Sequence, residues 1–465
     1  MTYLEKILEN PDYSELQSLL IGKQLLLEDL PKEIQFYKDK GYLLFRKGLV
    51  FEKGKPFCVR CGNKDGSLFA SFPCARCGSE NCAYCRKCII MGRVSSCTSL
   101  ISWCGPPLAM NIDSALEWSG SLSPGQKVAS SKVVEAVVSN KEILVWAVCG
   151  AGKTEVLFEG IHKALASNKR VCIATPRTDV VLELAPRLQA VFPNIEVSAL
   201  YGGSEDRHKY SPLTISTTHQ LLRFYQAFDT LILDEVDAFP YTVDAMLQYA
   251  VQQARKKESS MIYLTATPNS KWQKECQTGK REYVTIPARF HRYSLPVPKF
   301  VWCGNWQKLL KKKKLPQTVL SWLKERLEQN KQALLFMPNI LLMEKILPIV
   351  QQLHPDIQSV HAEDPKRKEK VQTMRNKEIP LLLTTTILER GVTFPNIDVA
   401  VLGAEDRIFT ESALVQIAGR VGRSAQHPKG DITFFHYGKT VQMVKARKQI
   451  MNMNEEAKKK GLIGE

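Results

Sequence analysis

The 465-residue sequence contains no run of about 18 consecutive apolar residues, the length that a helix needs to cross a bilayer. Any membrane role is therefore expected to be peripheral. The opening stretch, MTYLEKILENPDYSEL, lacks the unbroken apolar core of a secretory signal, which points to a cytoplasmic protein. Internal repeats and long low-complexity tracts are missing as well. With 44% hydrophobic and 24% charged residues, the composition excludes a disordered tail, a collagen and a disulfide miniprotein. Acidic residues are scarce: 47 Asp+Glu face 64 Lys+Arg, a net charge of +17. The imbalance is local, with +4 over residues 1–112, +1 over 113–290 and +12 over 291–465. A basic surface of this kind suits a phosphate backbone, although solubility alone would also account for it.

Thirteen cysteines are present, nine of them between Cys58 and Cys104. CxxC pairs clustered in a cytoplasmic chain favour metal binding over disulfides. The length suggests about three units. Residues 1–57 carry no chemical motif and are expected to form a small helical or mixed leader region. Residues 58–112 hold the cysteine-rich segment, which runs into the Gly/Pro/Ser-rich stretch GPPLAMNIDSALEWSGSLSPG. Beyond it, short β-branched runs alternate with helical stretches: EILVWAVCG, RVCIATPR, LTISTT, TLILDEVD and MIYLTATP, then ALLFMPN, LLLTTT and VAVLG. This alternation predicts an α/β fold with buried parallel strands. The prolines of PARFHRYSLPVPKF predict an extended connector, dividing the alternating region into lobes at 113–290 and 291–465.

The segment AVCGAGKTE follows an apolar strand and precedes a helical stretch, the context that a phosphate-binding loop requires. Gly150, Ala151 and Gly152 would let backbone N–H groups wrap a phosphate chain. Lys153 would neutralise the β- and γ-phosphates, and Thr154 would hold Mg²⁺. Ala147 replaces the first glycine of the usual pattern. In LILDEVD, Asp234 would hold Mg²⁺ and Glu235 would orient and deprotonate a water, with Asp237 also present. QIAGRVGRS places Arg420 and Arg423 three apart, positioned to meet γ-phosphate oxygens across a cleft. Thr175, Arg177, Thr217 and Thr218 in the first lobe, and Thr385 and Thr386 in the second, are candidate grips on a nucleic-acid backbone. Such contacts carry no base specificity. Arg390 is a candidate for the same grip, and Thr385, Thr386 and Arg390 are alternatively candidates for sensing nucleotide.

AxxGxGKT, DExD, TAT and QxxGRxGR stand in the order and spacing of the superfamily 2 helicases, over about residues 123–437. That resemblance implies two tandem RecA-like domains with ATP between them, and makes Gln126 of LSPGQ the adenine-reading glutamine. YCRKCIIMGRV, VWAVCGAGKTE and TTTILERGVT narrow the likeness further. With a cysteine module directly ahead of the motor, the chain resembles the ComFA family, late-competence DNA-uptake ATPases of Gram-positive bacteria. The resemblance implies an ATP-dependent single-stranded DNA translocase at the inner face of the membrane. The implied partners are the competence DNA channel and a phosphoribosyltransferase-like competence protein. Two other readings are a primosomal replication-restart helicase, whose knuckles are typically inserted within the motor, and a zinc-dependent platform switched by ATP.

By spacing alone, Cys58, Cys61, Cys74 and Cys77 make the tidiest zinc ribbon. The family resemblance points instead to Cys58, Cys61, Cys85 and Cys88. That choice leaves Cys74, Cys77, Cys82 and Cys97 for a second zinc.

Overall fold

The computed structural model describes residues 13–30, 34–108, 112, 115–391 and 393–464. The N-terminal part contains strands β1 (Leu25–Leu26), β2 (Leu43–Lys47), β3 (Leu49–Glu52), β4 (Lys55–Cys58), β5 (Phe69–Cys74), β6 (Ser79–Cys85) and β7 (Ser99–Trp103). β1, β7 and β2 form an antiparallel sheet in that order, while β3–β4 and β5–β6 are hairpins. The sequence-drawn boundary at residue 57 is corrected here. β7 lies beyond the cysteine segment yet fills the centre of the leader's sheet, and Ile101 and Trp103 pack with Leu16, Leu19, Leu43 and Tyr37 in one core. Leader and cysteine segment are one folded unit.

That unit is docked on the first lobe. The Lys23 amine, 1% exposed, donates to the carbonyls of Arg207 and Lys209 at 3.3 and 3.1 Å. Gln24 donates to the Leu222 carbonyl at 3.0 Å. Burial, aided by the charges of Arg170 and Arg223, pulls the Lys23 pKa from 10.5 to about 7. Between those values the unfolded chain binds the extra proton, so this group's contribution to stability rises with pH from about 7 to 10.5. In Lys23→Met the gain in melting temperature between pH 7 and pH 9 should be smaller than in the parent; an unchanged gain would show that Lys23 titrates normally.

The first lobe holds β8 (Glu142–Ala147), β9 (Val171–Thr175), β10 (Val197–Leu200), β11 (Leu213–Thr217), β12 (Phe228–Leu233), β13 (Arg255–Thr265) and β14 (Tyr283–Ile286). They form one parallel sheet in the order β10-β11-β9-β12-β13-β8-β14. β9 and β11 are buried along their whole length, as expected for strands covered on both faces. Two hydrophobic clusters, one around Val145, Ile173 and Ile232 and the other around Leu144, Leu231 and Leu247, hold helices to opposite faces of the sheet.

The second lobe repeats the plan with β15 (Lys299–Trp302), β16 (Ala333–Phe336), β17 (Gln358–Val360), β18 (Leu381–Thr384), β19 (Asp398–Leu402) and β20 (Ile432–His436). These strands are parallel in the order β15-β20-β19-β16-β18-β17. The Lys311–Lys314 run is exposed and carries the end of the helix Trp306–Lys311 into a turn. The last helix, Val441–Lys459, straddles both lobes. Met443, Ala446 and Ile450 belong to the second lobe's core and Met453 to the first's.

Candidate ATPase site and thiol clusters

The sheet edges that bind ligands in α/β folds are the carboxyl ends of the strands, and the predicted motifs gather there. β8 ends at Ala147, and the loop that follows turns through Gly150 and Gly152 at φ 79° and 69°, a backbone region that glycine occupies without strain. Gln126 supports this loop from beneath. It is 2% exposed, and its amide donates to the carbonyls of Ala151 and Gly152 at 2.9 and 3.1 Å. Its Oε1 accepts from Ser123 N–H, closing a capping box at the start of the helix Pro124–Val138. Its carboxamide thus bonds both the loop and the start of its own helix. At φ 69° any other residue at 152 would be strained, and its Cβ would meet the Gln126 amide nitrogen at 2.4 Å.

β12 ends at Leu233, and the acids follow at once. Asp234 accepts from Glu235 N–H at 2.8 Å. Glu235 takes a left-handed conformation, φ 53°, unusual for a non-glycine residue and a mark of local strain. Its Oε2 is buried and accepts no hydrogen bond. Burial raises its pKa, opposed by the charges of Arg390, Arg177 and Lys153, while Asp234 pushes it further up. Burial lowers the pKa of Arg420 and of Arg423, opposed in part by the charges of Cys149 and of Glu235 in the other lobe. Asp234 and Glu235 thus stand together at the end of β12, while Arg289 ties the phosphate loop that carries Lys153 to the backbone that carries Arg420 and Arg423. Arg420 donates to the Glu389 carbonyl at 3.0 Å, and Arg423 to the Gly419 carbonyl and the Thr393 hydroxyl at 2.9 and 3.1 Å. The loop glycines, the lysine and the buried Glu235 carboxylate together fit a nucleotide triphosphate with its metal, which would supply the phosphoanhydride bond and the charge to be stabilised.

The two lobes are joined by two polar networks. In the first, Asp237 accepts from the Thr265 and Thr267 hydroxyls at 2.7 and 2.5 Å, from Ser412 at 2.9 Å and from Arg390 Nη2 at 2.5 Å. Arg390, 5% exposed, also lies 3.7 Å from Glu235 and 3.5 Å from Glu389. Asp237 is held far below the usual carboxylate range by Arg390 and the hydroxyls despite its burial. In the second, Arg289, 1% exposed, donates to the Cys149 carbonyl of the phosphate loop at 3.0 Å. It also donates to the carbonyls of Gly419 and Val421 at 3.1 and 2.7 Å, and to that of Gly422. The phosphate loop is thus tied to the backbone that carries both arginines. Sequence reasoning missed Arg289 and Ser412; Gln416, which opens the QIAGRVGRS motif, accepts from the Cys149 thiol at 3.0 Å. IPARF reads as connector, and only the fold shows that its arginine is buried.

The nucleic-acid candidates fare unevenly. Thr175 and Thr218 are fully buried, with hydroxyls that make no hydrogen bond, and Thr217 is 5% exposed. In this arrangement they stand buried at the ends of β9 and β11. Arg177 is paired with Asp179 at 2.5 Å and packs against Gly391 of the opposite lobe, where a Cβ would lie 2.4 Å from its guanidinium. Thr385 and Thr386 stand half-buried just past β18.

Four thiols, Cys58, Cys61, Cys85 and Cys88, are buried with their sulfurs within 4.8 Å of one another. Arg60, 3% exposed, donates to Cys88 Sγ at 3.1 Å and to the carbonyls of Cys88, Met91 and Gly92. A buried guanidinium aimed at a sulfur favours thiolate, and four thiolates in this grouping fit tetrahedral zinc. Cys74 and Cys77 group with Cys82 and Cys97 instead, so the ribbon suggested by spacing alone is not the one the fold assembles.

Residues 9–102 match the competence protein ComFA N-terminal domain, 127–275 the DEAD/DEAH box helicase family and 311–425 the helicase conserved C-terminal domain. The chain is 49% identical over 97% of its length to competence protein ComFA of Bacillus subtilis (strain 168), covering 98% of that protein. It is 41% identical over 87% of its length to competence protein ComFA of Streptococcus pneumoniae (strain ATCC BAA-255 / R6), covering 92% of that protein. Among solved structures, a variant of S. cerevisiae Dbp5 bound to RNA and ADP BeF3 superposes with a TM-score of 0.51 at 13% identity. That alignment covers 74% of this chain and 98% of the other. At that identity the likeness concerns the fold, two tandem RecA-like helicase domains.

Proposed function

The chain belongs to the competence protein ComFA family and carries a helicase-type ATPase, and from that premise we propose that it hydrolyses ATP to draw single-stranded DNA inward during natural transformation. The observation that carries this reading is that Arg289 bonds both the Cys149 carbonyl of the phosphate loop and the carbonyls of Gly419, Val421 and Gly422, which sets the loop of Arg420 and Arg423 against the loop of Lys153. Gly150, Ala151, Gly152 and Lys153 would bind the phosphates, and Thr154 and Asp234 would hold Mg²⁺. Glu235 orients the attacking water and takes its proton, a task that its raised pKa suits. Arg420 and Arg423 stabilise the charge that develops on the transferred group.

Work comes from the lobe contacts. Arg390 and Ser412 grip Asp237, and Arg289 ties the phosphate loop to the arginine loop, so a change at the γ-phosphate position is felt in both lobes at once. The second lobe, with its tail, carries +12 of the net charge and is the better partner for a phosphate backbone. Among the described residues no helix is long and apolar enough to cross a membrane. Action at the inner face of the membrane would therefore rest on partners, namely the competence DNA channel and the phosphoribosyltransferase-like protein that the family implies. Zinc at Cys58, Cys61, Cys85 and Cys88 would hold the N-terminal unit against the first lobe, where Tyr249 donates to the Val59 carbonyl at 3.1 Å. Zinc content should fall in Cys85→Ser; an unchanged content would remove this assignment.

ATP turnover measured with single-stranded DNA, duplex DNA and RNA tests the function. Single strands should stimulate most, with a steep loss as salt rises. Turnover indifferent to single-stranded DNA would overturn the proposal, and preferential unwinding of forked duplexes would support a replication-restart helicase in its place.

A further inference from the structure

One hairpin, β5–β6, separates the two thiol groups. Cys82 and Cys85 lie three apart on β6, and because a strand alternates its side chains they face opposite sides. Cys85 joins the buried group, whereas Cys82 joins Cys74, Cys77 and Cys97. The turn at the hairpin tip brings Cys74 and Cys77 together: Gly78, φ 67°, donates to the Cys74 carbonyl at 2.9 Å. Cys97 is delivered by the neighbouring segment, where Ser96 N–H donates to the Ala83 carbonyl at 2.8 Å and Ser95 bridges Tyr84.

The sulfur of Cys97 lies 3.7 Å from that of Cys74 and 3.6 Å from that of Cys82. Disulfide sulfurs sit about 2.05 Å apart. Thiolates on a tetrahedral zinc, at about 2.3 Å from the metal, sit about 3.8 Å apart. The tip also needs a staple, since residues 75–81 are all exposed and bury no apolar side chain to hold the turn.

We propose that Cys74, Cys77, Cys82 and Cys97 form a second zinc centre, separate from the first and more readily exchanged. Each thiol gives up its proton on binding, and the metal pins the hairpin tip to the 95–98 segment. Exposure separates the two centres. All four sulfur-bearing residues of the first are buried, whereas Cys77 is exposed and Cys97 partly so. A chelator therefore reaches the second centre first.

The test is zinc content by mass spectrometry on the full chain, purified under reducing conditions and equilibrated with zinc alone. The parent should carry two zincs per chain. Cys77→Ser and Cys97→Ser should each carry half as much, while Cys104→Ser, an exposed thiol outside both groups, should keep the full amount. A chelator pulse should release half of the parent's zinc quickly and leave ATP turnover in place. One zinc in the parent, full zinc in Cys97→Ser, or thiol titration showing Cys97 oxidised in the reduced parent would each overturn the proposal. Because metal content is read directly, failure here leaves the motor assignment untouched, and failure of the motor leaves this centre untouched.

Discussion

Lys153→Ala should reduce ATP turnover by at least about 10²–10³-fold, the usual cost of removing one charge-stabilising group from a transition state. The loop that presents Lys153 is shaped by Gly150, Gly152 and the Gln126 carboxamide, none of which depends on the lysine side chain. The variant should therefore fold and melt as the parent does. Single-stranded DNA binding should persist, because the basic surface of the second lobe is unchanged. Turnover, binding and thermal melting measured on one preparation decide the matter, and substantial turnover in Lys153→Ala would withdraw the loop from the active site.

Arg390→Ala should have the second large effect, of a different kind. Removing the guanidinium leaves the Asp237 carboxylate buried between Thr265, Thr267 and Ser412 without its cation. Breaking a buried ion pair from one side costs about 3–5 kcal/mol. Each lobe has its own core, so the cost falls on lobe closure rather than on folding. The variant should keep two folded lobes yet lose DNA-stimulated turnover. Arg390→Lys should rescue only partly, because an ammonium cannot span Asp237, Glu235 and Ser412 as the planar fork does. The Asp237→Asn/Arg390→Ala double variant should be no worse than the worse single variant, the signature of residues acting as a pair. Strictly additive losses would show that they act independently.

Much of the α/β plan was legible because buried parallel strands announce themselves as short apolar runs, EILVWA and VCIAT among them. The phosphate loop and the acidic strand end were legible because their chemistry needs fixed residues at fixed spacing. What the sequence hid depends on contacts between distant segments. β7 completes a sheet begun 74 residues earlier at β1, and nothing in SLISW says which strand it meets. Arg289 resembles any connector arginine until the fold buries it among four carbonyls. Thr175 and Thr218 look like polar strand ends available to a ligand, but β9 and β11 carry them inside. Gln126 was legible from its place in LSPGQ, but the bonds of its carboxamide to the Ala151 and Gly152 carbonyls were not. For the cysteines, local spacing favoured the wrong partners, because strand alternation across the hairpin sends Cys82 and Cys85 to opposite sides.

The central claim is that hydrolysis is coupled to movement along a strand. It is tested most directly by ATP turnover at saturating single-stranded DNA as a function of strand length. A translocase spends more of each binding event moving as the strand lengthens, so turnover per enzyme should climb with length and then level off. In Arg390→Ala the climb should vanish. Turnover that DNA stimulates equally at every length would contradict the account, since it describes an ATPase that recognises a strand but does not travel along it.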